Sequence, residues 1–211
     1  FELEVVQVVP ADRFDTPDVA MRFPEPAGYD LVLTLGAPWS VYDERRLGRW
    51  VGEEQQFLRA ADSARVPVLG VCFGGQLLAA AHGGGVAPAA RPEIGWHPTK
   101  TSEPDLIEAG PWFEWHFDSW TLPPGAREIA RTEAASQAFV LNRNLAVQFH
   151  PEVTEDVLAG WLENGGTAVA RAHGIDPQRL LAETIDAQSE SAARAHRLVA
   201  RFLALVAFPN R

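Results

Sequence analysis

The segment from Val66 to Gly85 constrains this chain more than any other. Val66-Pro67-Val68-Leu69-Gly70-Val71 holds no polar side chain, which predicts a strand buried on both faces, as in a parallel sheet. It runs straight into Cys72. A helix is expected over about 75 to 82, closed by the glycine-rich stop Gly83-Gly84-Gly85. Passing from strand to helix across one residue, with small residues two before (Gly70) and two after (Gly74), requires a sharp turn in which the two backbones nearly touch. That turn belongs to folds that alternate strands with helices.

The remaining segments agree with such a fold. Leu31-Val32-Leu33-Thr34-Leu35 is a second short apolar run, stopping at Gly36, and reads as a buried parallel strand. Residues 2 to 9 alternate and read as a strand; residues 10 to 29, with Pro10, Pro17, Pro24, Pro26 and Gly28, read as loop. A helix is predicted over about 43 to 63, with Leu47, Trp50, Val51, Phe57, Leu58 and Ala61 on one stripe. Residues 86 to 148 read as mostly β, with strands near 93 to 97, 127 to 131, 137 to 141 and 145 to 149; the aromatic run Trp112 to Phe117 lies between strands. A helix over about 154 to 163 turns Val157, Leu158, Trp161 and Leu162 inward. Asp176-Pro177 opens a helical pattern running to about 206, with an interruption near Ser189 to Ser191. No repeat or linker divides the chain, so a single domain over residues 1 to 211 is expected. The predicted class is α/β, a flavodoxin-like, mainly parallel sheet with helices on both faces. Chemistry in such sheets sits at the carboxyl ends of the strands, where Gly36, Cys72 and His150 all fall.

Charge narrows the function. Eighteen Lys and Arg against 28 Asp and Glu give a formal charge of -10, which repels phosphate backbones and anionic lipid. No nucleic-acid or membrane partner is expected. Cys72 is the one cysteine, so the chain forms no internal disulfide and no two-cysteine metal site, in keeping with a reducing, cytoplasmic setting. No phosphate loop occurs and no histidine pair has metal-ligand spacing beside a carboxylate, so neither metal nor cofactor is expected.

Two segments carry chemistry. In Gly70-Val71-Cys72-Phe73-Gly74-Gly75-Gln76 the thiol sits at a helix N-terminus, whose partial positive charge favours thiolate. The Phe73 N–H would point at a developing oxyanion. A structural cysteine in a core strand is the competing reading, and the flanking glycines argue against it. In Val147-Gln148-Phe149-His150-Pro151-Glu152, proline forces His150 to be extended, and residues two apart in an extended segment point to the same side. Glu152 can then accept from one imidazole nitrogen while the other faces Cys72, an orienter, base and nucleophile.

These two segments, GVCFGGQ and QFHPE, resemble the nucleophile and His-Glu motifs of the class I glutamine amidotransferases. Leu35 to Asp43 resembles that family's oxyanion loop, and Glu114-Trp115-His116-Phe117-Asp118-Ser119 its Trp-His-x-Asp segment. The likeness spans about residues 28 to 165 and leans toward small stand-alone members similar to the amidotransferase domain of GMP synthase. It implies a glutamine or γ-glutamyl substrate attacked by Cys72, an oxyanion held by N–H groups of Phe73 and of Gly36 or Ala37, and substrate contacts from Gln76, His116 and Asp118. It also implies ammonia delivery to a separate synthetase subunit. The chain departs from the family at Ala37, where a glycine is usual, and at Gly75, where a larger side chain is usual. Family members also open with a strand ahead of residues 2 to 9, so an upstream strand, or another element in its place, is expected.

A hydrolase of γ-glutamyl amides or peptides with the same triad, and a non-catalytic regulatory or binding subunit, are the alternatives. Trp112, Trp115 and Trp120 are candidates for a wall beside the site. Glu93-Ile94-Gly95-Trp96 reads as structural, and His82, His97, His173 and His196 are given no role.

Overall fold

A computed structural model describes residues 2 to 209. In chain order the elements are β1 (Val32–Thr34), α1 (Glu44–Ser63), β2 (Val68–Val71), α2 (Phe73–Ala81), β3 (Val86–His97), β4 (Lys100–Thr101), β5 (Trp112–Trp120), β6 (Arg127–Arg131), β7 (Ser136–Leu141), β8 (Asn144–Val147), α3 (Glu155–Trp161), α4 (Thr167–Ala172) and α5 (Pro177–Phe202). Six strands form one sheet in the order β1-β2-β8-β7-β6-β4. Its β1-β2-β8 half is parallel and the rest antiparallel. The sheet is therefore mixed, and the parallel half supports the site. β3 and β5 form a separate antiparallel pair.

Period-2 alternation divides the core. Val68 faces one side with Phe139, Leu141 and Ala146, covered by Leu47, Trp50, Leu58, Leu77 and Leu78 of α1 and α2. Leu69 and Val71 face the other side with Leu145 and Val147, covered by Leu198 and Phe202 of α5 and by Val206 beyond it. A strand covered on both faces can hold apolar side chains throughout, as β2 does.

Four expectations are corrected. Residues 2 to 9 are not a strand: they have no ladder partner among the described residues, and Leu3 and Val5 are exposed. Alternation alone does not make a strand, since a strand exists only beside a neighbour whose N–H and C=O groups it shares. The aromatic run from Trp112 is not a connection but the first part of β5, paired along its length with β3. Finally, α5 is unbroken across Ser189 to Ser191: Ser191 Oγ donates to the Gln188 carbonyl at 3.1 Å, so the hydroxyl is satisfied inside the helix. The strand at 31 to 35 is also only half-buried. β1 borders the sheet among the described residues, and Leu33 and Leu35 are 51% and 53% exposed.

Among the described residues no helix is long and apolar enough to cross a membrane.

Candidate active site

Cys72 lies between β2 and α2 with φ 51° and ψ -110°, a left-handed conformation that costs a non-glycine residue of order 1–3 kcal/mol. Its neighbours show what holds it there. A Cβ on Gly70 would lie 2.7 Å from the Gly74 carbonyl oxygen, and one on Gly74 would lie 2.3 Å from that of Thr34. Only hydrogens fit between these backbones. The Cys72 N–H donates to the Val147 carbonyl at 2.8 Å, tying the turn to the end of β8. Gly75, unusual for the resembled family, is matched by its surroundings: a Cβ there would meet Val147 O at 3.0 Å and the Trp120 ring at 3.1 Å.

β8 delivers His150 to the same place. Its N–H donates to the Phe113 carbonyl at 2.8 Å, and its ring Nδ1 lies 2.7 Å from Glu152 Oε1. The ring is buried and meets Trp161 edge to face, centroids 4.8 Å apart. Burial disfavours the imidazolium, but the charge of Cys72, its hydrogen bond to the ring, and Glu152 outweigh that and hold His150 well above the ordinary histidine range. Gly36 closes the group from β1: a Cβ on it would fall 3.1 Å from His150 Cε1 and 3.7 Å from Cys72 Cβ. Three parallel strand ends thus bring Gly36, Cys72 and His150 together, while Glu152 follows on the chain.

The other expected residues occupy different stations. Phe73 is buried against Trp50, with ring centroids 5.8 Å apart, and Ala37 packs beside the same cluster. Asp118 is buried, and its carboxylate accepts from Ser40 Oγ at 2.6 Å and Tyr42 Oη at 2.8 Å, fastening the loop that follows β1. His116 does not face open space. Its Nδ1 lies 2.9 Å from the Asp118 carbonyl, and its Nε2 lies 3.3 Å from Glu93 and 3.4 Å from Glu114. Gln76 is likewise buried, its Nε2 3.3 Å from the Asp118 carbonyl and 3.2 Å from Gln148 Oε1. Of the three tryptophans considered for a wall, Trp112 stacks on Phe149 in the core, Trp120 packs on Phe139, and Trp115 lies 6.0 Å from Trp161.

Sequence reasoning missed several residues here. Gln148 donates from Nε2 toward Cys72 Sγ at 3.5 Å, and it sits inside the QFHPE segment, so the signal was present. Trp161 belongs to the predicted inward stripe, but periodicity does not say which inward residue reaches the imidazole. Glu93, read as structural, is buried and accepts from Thr132 and Gln137. Burial raises its carboxyl, but hydrogen bonds from His116 and Thr132 overcome this and leave it below the ordinary range. Glu114 is fully buried, and neither of its oxygens has a hydrogen-bond partner among the described residues; burial, then the charge of Glu93, pushes its carboxyl well above the ordinary range. Two carboxyls facing one imidazole thus hold protons unequally.

The fold and this cluster at the strand ends define a class, and the family model for class I glutamine amidotransferases matches residues 3–165. The chain belongs to that family, which consists of cysteine-dependent glutamine-hydrolysing enzymes. Among its relatives, it is 36% identical over 156 residues to the glutamine-hydrolysing GMP synthase of Thermomicrobium roseum, spanning 69% of this chain but 27% of that protein. It is 38% identical over 148 residues to one subunit of the glutamine-hydrolysing GMP synthase of Sulfolobus acidocaldarius, spanning 65% of this chain and 74% of that subunit. Among solved structures it resembles a glutamine amidotransferase from Methylobacillus flagellatus, with a TM-score of 0.77 at 27% identity, covering 87% of this chain and 80% of the other.

Proposed function

We propose that this chain hydrolyses the γ-carboxamide of glutamine to glutamate and ammonia, with Cys72 as nucleophile, His150 as general base and acid, and Glu152 as the group that orients the imidazole. The observation that carries this reading is the convergence of sulfur, imidazole and carboxylate at the parallel strand ends, with His150 Nδ1 2.7 Å from Glu152 and the Cβ position of Gly36 3.1 Å from His150 Cε1 and 3.7 Å from Cys72 Cβ. With its Nδ1–H given to Glu152, His150 presents Nε2 to the thiol and takes its proton. The thiolate adds to the amide carbon, and the oxygen gains charge that the N–H groups of Phe73 and of Gly36 or Ala37 are suited to receive. The imidazolium returns the proton to the departing nitrogen, so ammonia leaves and a γ-glutamyl thioester remains. Water, deprotonated by the same imidazole, attacks the thioester and expels the thiolate with glutamate as product.

The ammonia is destined for a separate synthetase subunit. The likeness to a GMP synthase whose parts are separate chains supports that division of labour. The acidic charge and single cysteine fit a cytoplasmic enzyme.

Ammonia release is the test, measured over glutamine and a panel of γ-glutamyl amines, with covalent labelling of Cys72 by a glutamine-mimicking electrophile. Glutamine is expected to be the preferred substrate. Cys72→Ala should abolish turnover without unfolding the chain, and Glu152→Gln should retain more activity than His150→Ala. Undiminished activity in Cys72→Ala would end the proposal. Preference for γ-glutamyl amines would leave the triad standing and change the substrate.

A further inference from the structure

Gln148 follows β8 immediately and is fully buried. Its backbone N–H donates to the Gln137 carbonyl at 2.8 Å, so the residue is anchored independently of its side chain. One end of its amide lies 3.5 Å from Cys72 Sγ and the other 3.2 Å from Gln76 Nε2. Which end faces the sulfur decides the consequence, and hydrogen-bond bookkeeping settles it. The Asp118 carbonyl, 3.3 Å from the Gln76 amide, can only accept. Gln76 must therefore turn its nitrogen there. The same nitrogen meets Gln148, which must answer with oxygen. The Gln148 nitrogen is thereby turned toward Cys72. His116 Nδ1, 2.9 Å from the same carbonyl, must likewise donate to it, so the fixed acceptor at the head of the chain is held from two sides.

We propose that Gln148 is a catalytic residue that holds an N–H on Cys72 Sγ, and that Gln76 is a positioning residue that fixes its orientation from the Asp118 carbonyl. This rests on the reading of Cys72 as nucleophile. A donor aimed at sulfur favours thiolate over thiol, because hydrogen bonds to the charged form are the stronger ones. It acts twice. It stabilises the attacking sulfur, and it stabilises the same sulfur when the thioester breaks and thiolate leaves. It also changes the part played by Gln76. Both hydrogens of that amide are engaged, on Asp118 and on Gln148, so a donated contact to the substrate would have to break one of them.

The experiment compares the unaltered protein with Gln148→Met and Gln76→Met, each close in length and lacking the amide. Two readouts are taken on the folded protein: the rate of Cys72 alkylation by iodoacetamide at pH 7, which needs no turnover, and kcat and KM for ammonia release. In Gln148→Met, alkylation and kcat should each fall about tenfold, the scale of one hydrogen bond to a charged group, with KM within about twofold. Gln76→Met frees the Gln148 amide to rotate and should lower alkylation by about threefold, on the scale of a weaker neutral hydrogen bond. Gln76→Met carries the same test if Gln148→Met does not fold. Alkylation unchanged in both variants, or a raised KM in Gln76→Met with alkylation unchanged, would overturn the proposal. Failure of the triad itself is told apart by the unaltered protein: a reactive Cys72 that releases no ammonia from any γ-glutamyl compound refutes the hydrolase and leaves the alkylation comparison valid.

Discussion

Glu54 offers a prediction that can be worked from the structure. It lies on the inward stripe of α1, is buried, and accepts from Thr34 Oγ1 at 2.8 Å at the end of β1. Burial, only partly opposed by the Thr34 hydrogen bond, raises its pKa from 4.5 to about 7. The folded protein thus binds a proton more tightly here than the unfolded chain does. Stability then falls as pH rises, because the unfolded chain loses this proton first. The effect is slight below pH 4.5, grows between 4.5 and 7, and levels off above 7. At ~1.4 kcal/mol for each tenfold difference in proton affinity, the full penalty is about 3 kcal/mol, most of it accruing between pH 5 and pH 8. Glu54→Gln keeps an oxygen for Thr34 and removes the titration. Urea unfolding at pH 5, 6, 7 and 8 measures the result. The variant's stability relative to the unaltered protein should rise by about 2.5 kcal/mol from pH 5 to pH 8, whatever constant offset its amide introduces. Other titrating groups cancel in that difference. Stabilities of the two proteins that change in parallel across this range would refute the argument.

Two further outcomes are expected. Gly74→Ala places a Cβ 2.3 Å from the Thr34 carbonyl oxygen and 2.6 Å from its carbon, both backbone atoms that cannot step aside; thermal unfolding should show a loss of ~3 kcal/mol or more, or no cooperative transition. Asp118→Ala removes the acceptor that holds Ser40 and Tyr42, so the loop carrying Gly36 and Ala37 should exchange its amide hydrogens faster and kcat should fall about tenfold, a scale of ~1.4 kcal/mol; hydrogen exchange and ammonia release read the two effects.

The placement of Cys72 on a sharp strand-to-helix turn and the meeting of His150 with Glu152 were legible in the chain because each sits in a short segment whose local geometry is self-determined. An apolar run into Gly70-Val71-Cys72-Phe73-Gly74 permits little but a strand, a sharp turn and a helix, and His150-Pro151-Glu152 sets its own extended spacing. The strands near 127–131 and 137–141, the helix near 43–63 and the start of the helix at Asp176-Pro177 were readable for the same reason, since burial periodicity is a local signal, whereas the continuity of that last helix across Ser189 to Ser191 was not. What the chain alone left open depends on neighbours distant in sequence. Whether residues 2 to 9 pair, and whether Trp112 to Phe117 is strand or connection, is decided by whether a partner strand lies alongside, which periodicity does not record. The stations of His116, Gln76 and Gln148 were likewise settled by tertiary structure. Their polar atoms are sealed from water and must take whatever donors and acceptors β3, β5 and β8 bring within reach, and it is those pairings, not residue type, that turn a glutamine toward a sulfur or a histidine toward two buried carboxyls.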